Sequence, residues 1–207
     1  MGEKTEEGEQ APDSADLGAL LESFRPRLRR MVSLRLDPRL RRRVDSSDVL
    51  QEAFVDVARR FDEHRASPDL PFFLWVRFLT AQKLVELHRR HAGAEMRDVR
   101  REVAGLDTPE ATSASLARAF VDDGDTPAQI LMREEHEQKL QEALEKLKPN
   151  DREILMLRHF ERLAYDECAR VLGIQLSAAK VRHLRAAKRL REVLREYPEL
   201  PDGLLLS

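Results

Sequence analysis

Apolar residues recur every three or four positions along most of the chain, which is the spacing that puts them on one face of an α-helix. In the N-terminal part, this spacing links Leu17 to Leu28 and Leu50 to Phe61. Two prolines then interrupt the chain, and a third apolar run starts at Phe72 and ends in the basic residues LHRRH. The pattern predicts three consecutive helices, the second preceded by the N-cap candidates Asp-Ser-Ser.

The periodicity weakens between residues 93 and 127, where Gly, Pro, Thr, Ser and Asp are frequent. This composition is typical of a linker, and only residues 116–120 within it have a helical spacing. Helical spacing resumes at Pro127, and the pair Pro149-Asn150 predicts a turn between two helices.

The last two predicted helices are separated by a glycine. Tyr165, Cys168 and Leu172 lie on one helical face, and Gly173 follows where the end of a helix favours a positive φ. The next helix is predicted from Leu176 to about residue 196. A short helix, a turn containing glycine and a second helix together predict a helix-turn-helix motif.

These elements predict an all-α fold of two small helical domains joined by a flexible linker, the C-terminal one a helix-turn-helix domain. Charged residues make up 36% of the chain and aromatic residues 5%, which suits helices with charged outer faces and disfavours a β-sandwich. The predicted segments are a disordered acidic N-terminus at 1–15, a first domain at 16–92, a linker at 93–127, a second domain at 128–196 and a tail at 197–207.

Several classes of protein are disfavoured by the sequence. A single cysteine, Cys168, excludes an internal disulfide and fits a reducing compartment. No apolar run approaches the roughly 18 residues that span a bilayer, and the acidic N-terminus does not resemble a secretory signal, so we expect a cytoplasmic protein without membrane insertion. His88 and His91 have a metal-ligand spacing but no third ligand nearby, and no catalytic signature or phosphate-binding loop occurs. We therefore expect no metal, no cofactor and no enzymatic activity.

The last predicted helix concentrates positive charge in a chain whose formal net charge is only −2. Arg182, Arg185 and Arg189 recur at i, i+3 and i+7, and Glu192 is the sole acid between residues 177 and 195. An α-helix fits the major groove of DNA, where arginine reaches phosphates and guanine edges. The pattern therefore favours DNA binding, although a solvated basic surface helix would have the same spacing. His183 and Cys168 fall near the packing side, which predicts a buried, hydrogen-bonded imidazole rather than a base contact, and an inert buried thiol.

Both halves of the sequence resemble one family. DSSDVLQEAFVDVARRF, FFLWVRFLTAQKLVELHRRH and the segment from LQEALEKLKPNDREIL to VRHLRAAKRLREVL are similar, in order and spacing, to the extracytoplasmic-function (ECF) sigma factors of bacterial RNA polymerase. The resemblance covers about residues 16–196. The chain departs from the usual pattern at Ala164, where a capping serine is common, at Gln82 and Glu86, and at residues 176–178, where the recognition helix starts.

The resemblance implies a subunit that binds core RNA polymerase and promoter DNA and performs no bond chemistry. The resemblance implies that a carboxylate- and amide-rich face docks on the β′ coiled coil of the polymerase. This face consists of Asp48, Gln51, Glu52 and Asp56. Contacts to the −10 element are implied for Gln82, Lys83, Arg89 and Arg90, and Trp75 is expected in the core. Contacts to the −35 element are implied for Ser177, Ala178, Lys180, Val181, Arg182, Arg185, Lys188 and Arg189.

Further partners are implied by the resemblance: the β flap of the polymerase and an anti-sigma factor. The basic run at residues 41–43 has no counterpart in the family motifs, and non-specific phosphate contact or a surface role are both open.

A free-standing helix-turn-helix regulator that binds an operator without polymerase is the alternative function, and a helical protein-interaction module is another. The regulator would leave the implied docking face and the motif that begins at Phe72 without a role.

Overall fold

A computed structural model describes residues 16–36, 40, 43–66, 68–91, 112–121, 127–198 and 200. Within that part of the chain the regular structure is entirely helical, as predicted. The helices are α1 (Leu17–Arg35), α2 (Ser46–Ala66), α3 (Phe72–His91), α4 (Ser113–Val121), α5 (Pro127–Glu145), α6 (Pro149–Leu155), α7 (Tyr165–Leu172) and α8 (Leu176–Leu194). The predicted N-terminal segment, Arg41, Arg42 and most of the predicted linker lie outside the described residues.

The three N-terminal helices pack around a shared apolar core. Leu28 from α1, Leu50 and Val57 from α2, and Phe72 and Leu74 from α3 are almost completely buried. The predicted cap of α2 is present, because the Ser47 backbone N–H donates to Asp45 Oδ1 at 2.8 Å. This bond is the main cause of the lowered pKa of Asp45, since it stabilises the carboxylate.

An aromatic cluster lies where α2 meets the start of α3. The His64 ring stacks on Trp75 with centroids 4.2 Å apart, and Phe72 lies 5.7 Å from Trp75. Trp75 is only partly buried but packs against the core, which confirms its expected place. Burial lowers the pKa of His64, so this imidazole is neutral near pH 7 and stacks as an apolar ring would.

One described part of the predicted linker is a packed helix. Helix α4 covers the residues predicted to be helical, and its Leu116 and Ala117 are completely buried. Phe120 meets Phe160 edge to face at 4.8 Å. This helix therefore packs against the C-terminal half, while flexibility of the remaining linker stays a prediction.

The expected turn at Pro149-Asn150 is wrong, because these residues begin α6. Proline suits the first helical position, where its missing N–H would have had no helical partner. The turn occurs instead at residues 146 and 147. Helix α6 continues into a π-helical turn, Met156–Phe160, and Arg162 then adopts a φ of 56°. This tight bend ends the helix and precedes α7.

A buried ionic cluster connects the N-terminal helices with the C-terminal half. Arg35 of α1 donates through Nε to Glu161 Oε1 at 2.8 Å, and Arg77 of α3 donates through Nε to Glu161 Oε2 at 2.8 Å. Arg35 also forms an ion pair with Glu153 at 2.6 Å. The side chains of Arg35, Arg77 and Glu161 are at most 2% exposed. We call these four residues the interdomain ion cluster.

Lowering the pH should destabilise the fold, because the Glu161 carboxylate becomes protonated. Burial raises the pKa of this carboxyl, but the charges and hydrogen bonds of Arg35 and Arg77 outweigh burial and leave the pKa below its ordinary value. Such a group contributes its full stabilisation above the pKa of the unfolded chain, about 4.3 for glutamate, and loses it as the pH falls through the folded value. We expect the free energy of unfolding to decrease with falling pH from about pH 5 downward. Urea denaturation across this pH range should show a shallower decrease in the free energy of unfolding for Glu161→Gln than for the wild type, because glutamine cannot titrate. Parallel pH dependences of the two proteins would contradict the role assigned to Glu161.

Candidate nucleic-acid interface

Helices α7 and α8 form the predicted helix-turn-helix. Ala164 precedes α7 and has no side-chain oxygen, so it cannot cap the helix as serine would. Glu167 supplies the other half of a capping box, because its carboxylate accepts the Ala164 N–H at 2.6 Å. Gly173 then adopts the predicted left-handed conformation with a φ of 61°, which directs the chain into α8.

Helix α8 buries one face and exposes the other. Ala179, Ala186 and Leu190 are buried, as the apolar spacing predicted. Most of the predicted −35 residues are exposed: Ser177, Ala178, Lys180, Val181, Arg185, Lys188 and Arg189. Arg182 is half-buried beside the packed face. The arginines predicted to share a face therefore lie along one side of the exposed surface rather than at its centre.

The charged residues of α8 differ in how freely they can bind a ligand. Arg189 Nη1 lies 2.6 Å from Asp151 Oδ2, and the Asp151 side chain is only 6% exposed. Lys188 has a looser pair with Glu192 at 3.8 Å. Lys180 and Arg185 form no ion pair with any other described residue. Arg189 thus stabilises the domain, whereas Lys180 and Arg185 are available to an anion.

His183 anchors α8 against the neighbouring helices. Its Nε2 lies 2.7 Å from His159 Nε2, and its Nδ1 lies 2.9 Å from the Tyr165 hydroxyl oxygen. Burial, helped by His183 and Arg158, lowers the pKa of His159 to about 4. This geometry confirms the predicted hydrogen bonding, whereas His183 is half-buried and not fully buried as predicted.

Cys168 is buried on α7, as predicted. Burial raises the pKa of its thiol to about 12, so almost no reactive thiolate is present near pH 7. The structure therefore agrees with an inert packing role.

The acidic face predicted on α2 is present, but its members are not equivalent. Asp48, Gln51 and Glu52 are exposed. Asp56 is half-buried and forms an ion pair with Lys83 of α3 at 2.7 Å, and the hydrogen bond from Lys83 lowers the pKa of Asp56. Asp56 therefore positions α3, while the other three side chains face solvent.

The predictions missed Val55 on this face. Its side chain is 49% exposed and lies one helical turn from Gln51 and Glu52. An apolar residue among acids at this spacing is the signal that could have identified it, because solvent alone gives no reason for valine there. We define the α2 face as Asp48, Gln51, Glu52 and Val55.

The candidate −10 residues on α3 adjoin the α2 face. Gln82 is half-buried, and Lys83 contacts Glu86 at 3.2 Å in addition to Asp56. Arg89 and Arg90 are exposed, with Arg90 3.7 Å from Glu52. The structure therefore brings the two predicted patches together, with Lys83 and Arg90 paired to carboxylates and Arg89 open to solvent.

The described residues contain no group of three His, Cys, Asp or Glu side chains placed to hold a metal ion. No helix among them is both long enough and apolar enough to cross a membrane.

Comparison with known proteins adds an independent observation. Residues 137–190 match the family described as Sigma-70, region 4. RNA polymerase sigma factor CarQ of Myxococcus xanthus is 31% identical over 153 residues, which are 73% of this chain and 75% of CarQ. The chain belongs to the ECF sigma factors of RNA polymerase. The ECF sigma factor SigD of Mycobacterium tuberculosis is 29% identical over 182 residues, 88% of this chain and 78% of SigD.

The fold has a solved counterpart. The structure of CnrH in complex with the cytosolic domain of CnrY superposes with a TM-score of 0.51 at 20% identity, covering 91% of this chain and 94% of CnrH. The region 4 match starts within α5 and ends within α8, so it contains α6, α7 and most of α8 of this sigma factor. Sigma factors act in transcription initiation and are not enzymes as a family, and membership does not favour the free-standing regulator.

Proposed function

We propose that this sigma factor binds core RNA polymerase and directs initiation at promoters by recognising a −10 and a −35 element. The observation that carries the proposal is that one chain presents two different charged surfaces. One is the acidic and amide-bearing α2 face beside the basic end of α3, and the other is the basic outward surface of α8. A regulator that needed only DNA would use α8 alone.

The α2 face supports polymerase binding through its chemistry. Asp48 and Glu52 can accept charge-assisted hydrogen bonds from arginines, and Val55, about one helical turn beyond Glu52, can bury apolar area. This combination of an exposed apolar residue and neighbouring polar and charged residues is typical of a protein interface. The β′ coiled coil is the partner that family membership suggests, and the β flap is the partner proposed for the C-terminal domain.

Helices α3 and α8 support the two promoter contacts. Arg89 is exposed at the basic end of α3, where a phosphate could bind without breaking an ion pair with a described residue. Gln82 and Lys83 are only partly exposed, so their contact with DNA requires that Lys83 leave Asp56 or reach past it. Helix α8 presents Lys180 and Arg185, and its N-terminal residues Ser177 and Ala178 lie where a recognition helix meets base edges.

The deciding experiment is transcription in vitro with sigma-free core polymerase and a library of genomic fragments. We expect RNA with defined 5′ ends that depends on the added protein, and sequences upstream of those ends should share two spaced elements. A free-standing regulator would bind fragments without starting RNA. Absence of protein-dependent transcripts would therefore contradict the proposal.

Arg185→Ala and Arg189→Ala should have different effects. Arg185 is exposed and unpaired among the described residues, so its loss should weaken promoter binding by about 1–3 kcal/mol without changing thermal stability. Arg189→Ala leaves the buried Asp151 carboxylate without its 2.6 Å partner and should lower the melting temperature. Promoter titration and thermal denaturation of both variants test this difference. Unchanged promoter affinity in Arg185→Ala would remove Arg185 from the interface.

The proposed partners place the protein in the cytoplasm, where polymerase and DNA are found. An anti-sigma factor is a proposed further partner. CnrH was solved in complex with the cytosolic domain of CnrY, which supports a search for a comparable protein that binds this chain.

A further inference from the structure

The outward face of α8 has an apolar centre that packing does not explain. Leu184 is 71% exposed, the most exposed large apolar side chain among the described residues, and Val181 is 44% exposed. Neither contributes to the buried core. We call Val181 and Leu184 the apolar strip.

The position of the strip follows from helix geometry. Ser177, Val181, Leu184 and Lys188 are spaced i, i+4, i+7 and i+11, so they form one line along the helix. At 100° per residue this line lies opposite the buried Ala179, Ala186 and Leu190. Any ligand that α8 presses against therefore meets the apolar strip first.

The charges around the strip limit what that ligand can be. Lys180 and Arg185 are exposed on opposite sides of the strip, and Lys188 is exposed at its C-terminal end. A matching ligand must present an apolar group surrounded by negative charge. In the major groove of DNA, the C5-methyl group of thymine is such a group, because it projects from the base edge between two phosphate backbones.

We propose that Val181 and Leu184 contact thymine methyl groups in the −35 element and thereby favour thymine at one or two positions. The inference rests on the proposed function, since it requires α8 in the major groove of that element. It adds Leu184 to the specificity-determining residues and states a chemical property of the promoter sequence. Arginine contacts alone would favour guanine and phosphate instead.

The test uses uracil, which pairs like thymine but lacks the methyl group. Holoenzyme assembled from core polymerase and the full chain first selects its preferred −35 sequence from promoter DNA randomised at that element. Each thymine of the selected element is then replaced singly by uracil, and holoenzyme affinity is measured by competition binding. We expect about a fourfold loss at one or two positions, which corresponds to about 0.8 kcal/mol for one buried methyl group.

Leu184→Ala and Val181→Ala should each remove the discrimination, giving equal affinity for thymine and uracil at one of those positions. Both side chains are exposed and alanine favours helices, so the fold should be retained, as circular dichroism can check. Lys188→Ala is the matched control on the same helical line. It should weaken binding to both DNAs and keep their ratio, because a phosphate contact does not distinguish the bases.

A holoenzyme that binds thymine and uracil equally at every −35 position would overturn the inference, as would a selected element without thymine in either strand. Discrimination that persists in both alanine variants would also overturn it, because other residues would then contact the methyl group. In each of these cases, transcripts from the selected promoters would leave the proposed function intact. A holoenzyme that starts no promoter-dependent RNA would refute both proposals together.

Discussion

Replacing Glu161 with glutamine should lower the free energy of unfolding by about 3–5 kcal/mol. Glu161 is the shared acceptor of Arg35 and Arg77, and its side chain is 2% exposed. The substitution leaves Arg77 buried without its counter-charge and leaves Arg35 with only Glu153 as an acidic partner among the described residues. Arg77 Nη1 already has no hydrogen-bond partner within the described structure. Urea denaturation at neutral pH measures the change.

A matched control is available at the surface of the same half of the chain. Glu196 and Lys146 form a comparably short pair of 2.6 Å, but both side chains are well exposed. Glu196→Gln should therefore change stability very little, since solvent screens this pair. Equal effects of the two substitutions would show that the interdomain ion cluster is no more important than a surface pair.

Reversing both acidic charges of the α2 face should weaken binding to core polymerase at least about tenfold, because an arginine-bearing partner would then be repelled. The variant is Asp48→Lys combined with Glu52→Lys. Both residues are exposed, so most of the effect should appear in binding and little in folding. Fluorescence titration of labelled protein with core polymerase, at two salt concentrations, gives the affinity and its electrostatic part.

Two controls separate docking from general effects of charge. Glu135→Lys combined with Glu142→Lys makes the same change in net charge on exposed positions of α5 and should leave the affinity for core near wild type. Asp48 lies in the first turn of α2, where an acid favours the helix, so thermal denaturation must accompany the titration. Wild-type affinity in the α2 variant would contradict the docking assignment.

The helices and the helix-turn-helix could be predicted because they depend on local spacing. Apolar residues at three- and four-residue intervals and the glycine at 173 define them without knowledge of distant contacts. The start of α6 was mispredicted because proline is favoured both in turns and at the first position of a helix. Only packing against the neighbouring helices decided between them.

The pairing of charges could not be predicted, because sequence spacing does not reveal which distant residues meet. Arg77 and Glu161 are 84 positions apart and each resembles an ordinary surface charge. The same limit applies to Arg189, which has the spacing of a DNA-binding residue but pairs with Asp151, 38 positions away. Val55 and Leu184 were missed for a different reason: a search for charged binding residues gives no weight to apolar side chains on a polar face.

The interdomain ion cluster also determines what a separation of the two halves would expose to water. Arg35, Arg77 and Glu161 are all strongly hydrated in water, unlike the leucines of a hydrophobic contact. At this point of contact, separation would expose side chains that water solvates readily, so it would not create a surface prone to aggregation.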